Sequence, residues 1–393
     1  MRIVYIGGEP VPGNTGGSTH FMEVAAGLAQ LGHEILAVCP RDHGQQASDV
    51  INGVRIIRVP MKMRKYTIPL AALLKLFAIL RFKPDILMER FVTFGGTLAL
   101  IARITRTPLV LEINSPHTDE LLYRFKVKNR ILRWLLLKWR DFQMRSATRI
   151  IATLSSVVPP FVKERVMLVD WAANCDLFDN ENIPDTDKKA LRKKLGIRPD
   201  QPVVIFLGTF RAWHGVHHLP VIAAEVLKKI PDACFVTIGA GNERAAVELA
   251  VKDAGLTGSF IFTGSLPYTT VPLYLSIGDV GIAPYDRSAY PPLIEFGFYW
   301  SPLKIFEYMA CGLPVVTIDV EPLNRLVKDG ERGFVVPEGN WSIFSQKIVQ
   351  LLNDRAASAK MGRDARSYTQ SNYSWQYHVA QLNEMLLSLN TGT

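Results

Sequence analysis

Cysteine is scarce in this chain of 393 residues. The four present, Cys39, Cys175, Cys234 and Cys311, stand far apart with no C-x-x-C pair and no histidine cluster beside them, which argues against a disulfide framework and a Cys/His zinc site. Long apolar runs are missing too. The most apolar stretch, IPLAALLKLFAIL from Ile68, is interrupted by Lys75 and is too short to span a bilayer. MRIVYIGG at the start lacks the apolar length of a secretory signal and reads as a first strand. Low-complexity tracts are absent, and 48% hydrophobic against 21% charged residues is globular composition. A cytoplasmic protein, soluble or lying on the inner face of the membrane, is the expectation.

Negative charge is in deficit: 36 acids against 45 Lys and Arg leave a formal net charge of +9. From Leu121 to Arg145 the sequence LLYRFKVKNRILRWLLLKWRDFQMR holds eight basic residues and one acid, Asp141, interleaved with Leu, Trp and Phe. Such a pattern suits a helix lying on an anionic membrane surface. It equally suits an amphipathic helix packed on a sheet with its basic face in water. No nucleic-acid-binding motif accompanies the charge, so no nucleic-acid partner is expected.

The chain is too long for one ordinary core. Strand-like runs RIVYI, EILAVC, VRIIRV, DILME, PLVLEI and TRIIA alternate with helical runs, the βαβ rhythm of a parallel sheet. The polar stretch 179–200 interrupts that rhythm and reads as a linker entering a helix. PVVIFLG, ACFVTIGAG, SFIFTG, DVGIAPY and PVVTI then restart it. Two doubly wound α/β domains follow, at 1–170 and 171–372, with 373–393 a final helix returning to the first. Ligands of such sheets bind beyond the carboxyl ends of the strands, and a cleft between the domains is the expected site.

One stretch puts a cation where a helix dipole favours an anion. In SPLKIFEYMACGLP, residues 301–314, Ser301 reads as an N-cap, Pro302 and Leu303 as the helix start, and Gly312 and Pro314 as its end. Lys304 then lies in the first turn, with Glu307 one turn on. The arrangement is either a surface ion pair or, with the free amides of the helix start, a phosphate site. Gly16 and Gly17 open the first helix and let backbone approach a phosphate, though a plain flexible loop reads as well. IGAGNER lacks the third glycine of a dinucleotide fingerprint, so a nicotinamide enzyme is disfavoured. In FLGTFRAWHGVHHL, Arg211 is a fixed cation after a strand; His214, His217 and His218 lack companion ligands at metal spacing, and no metal is expected.

In this order the stretches resemble the family 4 glycosyltransferases of GT-B fold over nearly the whole length. They run from GGSTHF and GHEILAV through ATRIIATLS, VIFLGTFRAWHGV, TIGAGNE and FTGSLPYTTVPLYLSIGDVGIAPY to SPLKIFEYMACGLPVV and DGERGFVVPEGN. The resemblance implies two Rossmann-like domains facing across a cleft. It implies a retaining transfer of a hexose-type sugar from a nucleotide diphosphate sugar, UDP preferred over GDP, to a saccharide or lipid-linked acceptor in envelope or exopolysaccharide synthesis. No cofactor is implied.

Residue by residue, Glu307 matches the glutamate holding the ribose, while Ser301, Leu303 and Lys304 match the segment meeting the diphosphate. Gly16 and Gly17 match the loop facing the same phosphates. Thr209 and His214 stand where the family has arginine and lysine, and Arg211 is the replacement cation. Lys304, Arg211 and His117 are the expected catalytic groups. Tyr299 replaces an earlier glutamate that touches the sugar, with Glu295 four residues before it. Asn114 holds the register of a histidine near the sugar, with His117 three residues on. Two other readings remain: a catalytically silent relative binding a nucleotide sugar or a membrane partner, or a nucleotide-sugar epimerase. A glycosidase would need a matched carboxylate pair, which the sequence does not show.

Overall fold

The computed structural model describes residues 1–13, 15–60 and 74–390. By contact they fall into two units, one from Met1–Trp171, Tyr299–Ser301 and Trp375–Thr393, the other from Ala172–Phe298 and Pro302–Ser374. The polar stretch 179–200 lies inside the second unit rather than linking the two. Its helix Asp185–Lys194 is fastened there, with Arg192 donating to the carbonyls of Gln201 (3.0 Å) and Ile277 (2.9 Å).

The first unit carries eight strands: β1 (Arg2–Ile6), β2 (Glu34–Pro40), β3 (Ser48–Ile51), β4 (Val54–Val59), β5 (Ile86–Arg90), β6 (Leu109–Ile113), β7 (Arg149–Ala152) and β8 (Val166–Leu168). Their order is β3-β4-β2-β1-β5-β6-β7-β8, parallel except for the β3–β4 hairpin. That hairpin turns at Asn52 and Gly53, both at positive φ (50° and 77°), the Asn-Gly signature of a tight two-residue turn. β1, β5 and β6 are apolar almost throughout and buried, as strands covered on both faces must be. Helix Gly16–Gln30 packs against helix Trp375–Asn390; a Cβ on Gly27 would lie 2.6 Å from Val379, so only glycine permits the contact.

The basic segment 121–145 is not one helix. Helix His117–Arg124 ends, Lys126 takes a positive φ of 44°, and helix Arg130–Ser146 restarts with the Asn129 side chain accepting from Leu132 N at 3.0 Å. Arg140 ties the two by donating to both oxygens of Asp119 at 2.7 and 2.8 Å. Among the described residues no helix is long and apolar enough to cross a membrane. The run from Ile68 begins outside them.

The second unit holds β9 (Val203–Leu207), β10 (Cys234–Ile238), β11 (Phe260–Gly264), β12 (Val280–Ala283), β13 (Val315–Ile318) and β14 (Gly333–Val336). All are parallel, in the order β11-β10-β9-β12-β13-β14. The order reverses between β9 and β12, and that switch point opens a crevice at the strands' carboxyl ends. Tyr308 closes the base of the crevice: its hydroxyl accepts from Leu207 N (2.5 Å) and donates to Ile282 O (3.2 Å), bridging the two strands where they diverge. A ring fits there because β12 offers Gly281, whose Cβ would fall 2.6 Å from it. Tyr308 belongs to helix Leu303–Ala310, so one bridge fixes that helix on the sheet. Tyr308→Phe strands two buried backbone groups and is expected to cost about 1–3 kcal/mol, read by thermal unfolding.

Candidate functional site

Helix Leu303–Ala310 lies over the switch point with Lys304 and Glu307 one turn apart, and both side chains are buried. The expected capping by Ser301 does not occur. Its Oγ instead accepts from Trp171 N (3.1 Å) within the first unit, and Pro302 stands at the cap with no side-chain bond. The first-turn amides are therefore left without a capping side chain.

Among the described residues Lys304 Nζ has no hydrogen-bond partner. It sits 4.6 Å from the Phe206 ring centroid and 4.8 Å from that of Tyr285, and a Cβ on Gly208 would lie 2.7 Å from it. Two aromatic faces give a cation some electrostatic compensation, far less than water would. Burial therefore pulls the lysine down to about 7, only partly resisted by Glu307. Burial likewise pushes Glu307 up to about 7, against Lys304 and a hydrogen bond with Tyr268. The surface ion pair allowed by the sequence is replaced by two desolvated groups that lack direct contact.

His214 is buried beside them, its Nδ1–H donating to Thr209 O at 2.5 Å. Burial and then the Lys304 charge hold it well below the ordinary imidazole range, so it is a neutral donor. Gly208 at φ 143° and Gly239 at φ 139° let the loops after β9 and β10 touch; a Cβ on Gly239 would fall 2.1 Å from Gly208 O. Arg211, exposed after β9, makes no side-chain bond among the described residues. Glu295 is exposed at the end of helix Pro292–Glu295. His217 and His218 pair separately with Glu243 (3.0 Å) and Asp286 (2.9 Å), and no group of three metal-capable side chains occurs among the described residues.

The first unit has its own polar cluster at its own switch point, between β1 and β5. Glu112 on β6 accepts from Tyr5 (2.5 Å) and Asn114 (2.6 Å), lies 2.7 Å from His20 Nε2, and is 3.6 Å from Arg90 Nε. Burial alone would raise its pKa, but His20 and Arg90 hold the carboxyl far below its usual range. Burial depresses His20 against the pull of Glu112, whose carboxylate oxygen lies beside its Nε2. Its ring stacks on Trp171 at 4.5 Å. Arg90 also donates to Gly17 O (2.9 Å), tying the cluster to the glycine loop. Gly16 and Gly17 form the first turn of helix Gly16–Gln30, capped by Thr15, with the Glu9 carboxylate against Gly17, where a Cβ would lie 2.1 Å from its oxygen.

The sugar candidates of this unit are engaged in different ways. Asn114 is held at both ends, donating to Glu112 and accepting from Trp171 Nε1 at 3.0 Å. His117 Nδ1 lies 2.8 Å from Thr93 Oγ1. Tyr299 is wholly buried; its hydroxyl donates to Glu120 (3.1 Å) and its carbonyl accepts from Thr153 (2.8 Å). Tyr5, His20, Arg90, Glu112 and Tyr308 were given no role from the sequence, although His20 lies within GGSTHF and Tyr308 within SPLKIFEYMACGLPVV; for Arg90 and Glu112 the one signal was a charge inside an otherwise apolar strand.

Residues 187–368 match the family described as Glycosyl transferases group 1, and residues 15–162 match the Glycosyl transferase 4-like domain. The alpha-D-kanosaminyltransferase of Streptomyces kanamyceticus is 26% identical over 70% of this chain and 69% of its own. The lipopolysaccharide core biosynthesis glycosyltransferase LpsE of Rhizobium meliloti is 26% identical over 65% and 68%. The solved structure of Anabaena HepE in complex with UDP shares the fold with a TM-score of 0.75, at 17% identity over 99% of this chain and all of that one.

The charges of the second site set a pH signature. Burial pulls Lys304 from 10.5 in the unfolded chain down to about 7, so the unfolded state binds more protons between these values and stability rises with pH there. Glu307, near 7 against 4.5 unfolded, gives the opposite slope between about 4.5 and 7. Lys304→Met is expected to melt about 2 °C or more above the parent at pH 7, the gap narrowing toward pH 9, in thermal scans without ligand.

Proposed function

The chain belongs to the glycosyltransferases of family 4 type and GT-B fold, and from that premise we propose that its second unit holds a nucleoside diphosphate sugar at the β9/β12 switch point. The observation carrying the proposal is the buried Lys304 ammonium, without a hydrogen-bond partner among the described residues, beside an uncapped helix start. A diphosphate supplies the missing counter-charge, with the amides of Leu303 and Lys304 as further donors. Glu307 takes the ribose hydroxyls, while His214 and Arg211 face the phosphates. Gly16, Gly17, Asn114 and His117 are the first unit's own candidates for ligand contact; Tyr299, whose hydroxyl is bound to Glu120, is not.

In the reaction, the bond between the anomeric carbon and the diphosphate oxygen breaks as charge gathers on the leaving group, which Lys304 stabilises. The acceptor hydroxyl adds from the same face and its proton passes to the departing diphosphate, so configuration is retained. UDP is the preferred carrier, supported by the UDP complex of the HepE structure. A lipid-linked saccharide of the cell envelope is the preferred acceptor, supported by the LpsE relative. Helix Arg130–Ser146 adds to this reading: Ile131, Leu132, Trp134 and Leu135 are exposed (72, 46, 57 and 51%) among its basic residues, a face suited to anionic lipid.

Two measurements test this. At 100 times its dissociation constant a ligand adds about 2.7 kcal/mol to the folded state, so UDP raises the melting temperature by several degrees where GDP, ADP and CMP do not. Glu307→Ala abolishes the rise, and calorimetry in paired buffers above pH 7 shows a proton taken up as Lys304 is recharged. Silence from all four nucleotides removes the donor site. In flotation with phosphatidylglycerol vesicles the protein rises with lipid at low salt, and Ile131→Glu/Trp134→Glu stays behind; equal behaviour of both excludes this face.

A further inference from the structure

At the end of the first sheet opposite the glycine loop, the amino ends of β6, β7 and β8 border an open groove of about 360 Å³. Four arginines line it: Arg103, Arg106, Arg145 and Arg165, with the hydroxyls of Thr107, Ser146 and Thr148 between them. No acid lines the groove, and among the described residues none of the four guanidiniums is paired with a carboxylate. Elsewhere on this chain arginines meet acids, as Arg140 meets Asp119, Arg287 meets Glu338 and Arg366 meets Asp179.

Three of the four are positioned by neutral groups. Arg103 Nε donates to Ser146 Oγ (3.2 Å), Arg165 donates to Ala147 O (3.2 Å), and the Arg145 guanidinium covers the Phe161 ring at 4.2 Å. These contacts fix direction without cancelling charge. Arg106 stands just past helix Thr97–Thr105 at φ 60°, a left-handed position where glycine is the ordinary occupant. The ordinary account of such arginines is compensation of helix dipoles, because helices Thr97–Thr105 and Arg130–Ser146 both end here. Each end carries about half a negative charge, so together they offset about one of four positive charges and leave about three.

We propose that this groove binds a phosphate-bearing anion, distinct from the diphosphate at Lys304. Oriented guanidiniums and interspersed hydroxyls match the geometry of phosphate oxygens, and a doubly or triply charged group would balance the surplus. The phosphate could belong to a soluble phosphorylated compound or to a lipid headgroup.

Inorganic pyrophosphate is the probe, titrated calorimetrically at low ionic strength into the full chain carrying Lys304→Met, which silences the other site. Binding is expected, and weakening of at least tenfold on adding Arg106→Gly and Arg145→Gln. The first substitution suits the backbone and the second keeps an amide over Phe161; circular dichroism melting within a degree of the parent confirms an intact fold. No binding in the Lys304→Met chain, or binding indifferent to the arginine changes, overturns the proposal. In co-sedimentation with phosphatidylglycerol vesicles, loss on the same two substitutions together with competition by pyrophosphate supports the site with a lipid headgroup as its ligand. Unchanged sedimentation alongside lost pyrophosphate binding supports it with a soluble one.

Discussion

One unneutralised charge governs the second unit. An ammonium under helix Leu303–Ala310, between two aromatic rings and without a hydrogen-bond partner among the described residues, costs the fold stability. The surroundings are arranged around it. Gly208 has no side chain because the lysine tip fills that space, and Tyr308 pins the same helix to the diverging strands. His214 stays neutral under the same field. The fold bears an electrostatic cost at this atom, which under the proposed function a diphosphate offsets, so affinity and stability are set against each other there.

The first unit shows the opposite solution. Glu112 is as deeply buried, yet Tyr5, His20, Asn114 and Arg90 satisfy it from four directions. A carboxylate so surrounded is locked in its charged form and holds its donors in place, including the Asn114 amide and, through Arg90, the Gly17 carbonyl. One buried charge is surrounded by groups of opposite or donating character, which gives rigidity; the other has only aromatic faces beside it. Both sit where the strand order of a parallel sheet reverses, because only there do neighbouring strand ends part and admit side chains from outside the sheet.

Most strands were legible because a strand buried on both faces reads as a nearly continuous apolar run, and β1 after Arg2, β9 and β13 have that form. β4 was expected as VRIIRV, but β3 escaped although Asn52-Gly53 signals the hairpin, since β3 is short and exposed and offers no apolar pattern. Lys304 and Glu307 were legible through local grammar: a cation at the positive end of a helix is anomalous within one turn. The Glu112 cluster was not, because Tyr5 and Glu112 lie 107 residues apart and no local rule links them. Ser301 misled for a related reason. Its hydroxyl prefers Trp171, a partner no helix-capping rule takes into account.

Helix Trp375–Asn390 belongs to the unit that begins the chain, packing by Val379 on Gly27 while the Trp375 and His378 rings approach His20 within 5.3 and 5.5 Å. The intervening unit is therefore an insertion within the first. On a ribosome, where domains form as they emerge, residues 172–298 and 302–374 leave the exit tunnel before the first unit has received its last helix. The unit made first is thus finished last. Its glycine loop waits, with one flank of helix Gly16–Gln30 open, for residues translated more than three hundred positions later.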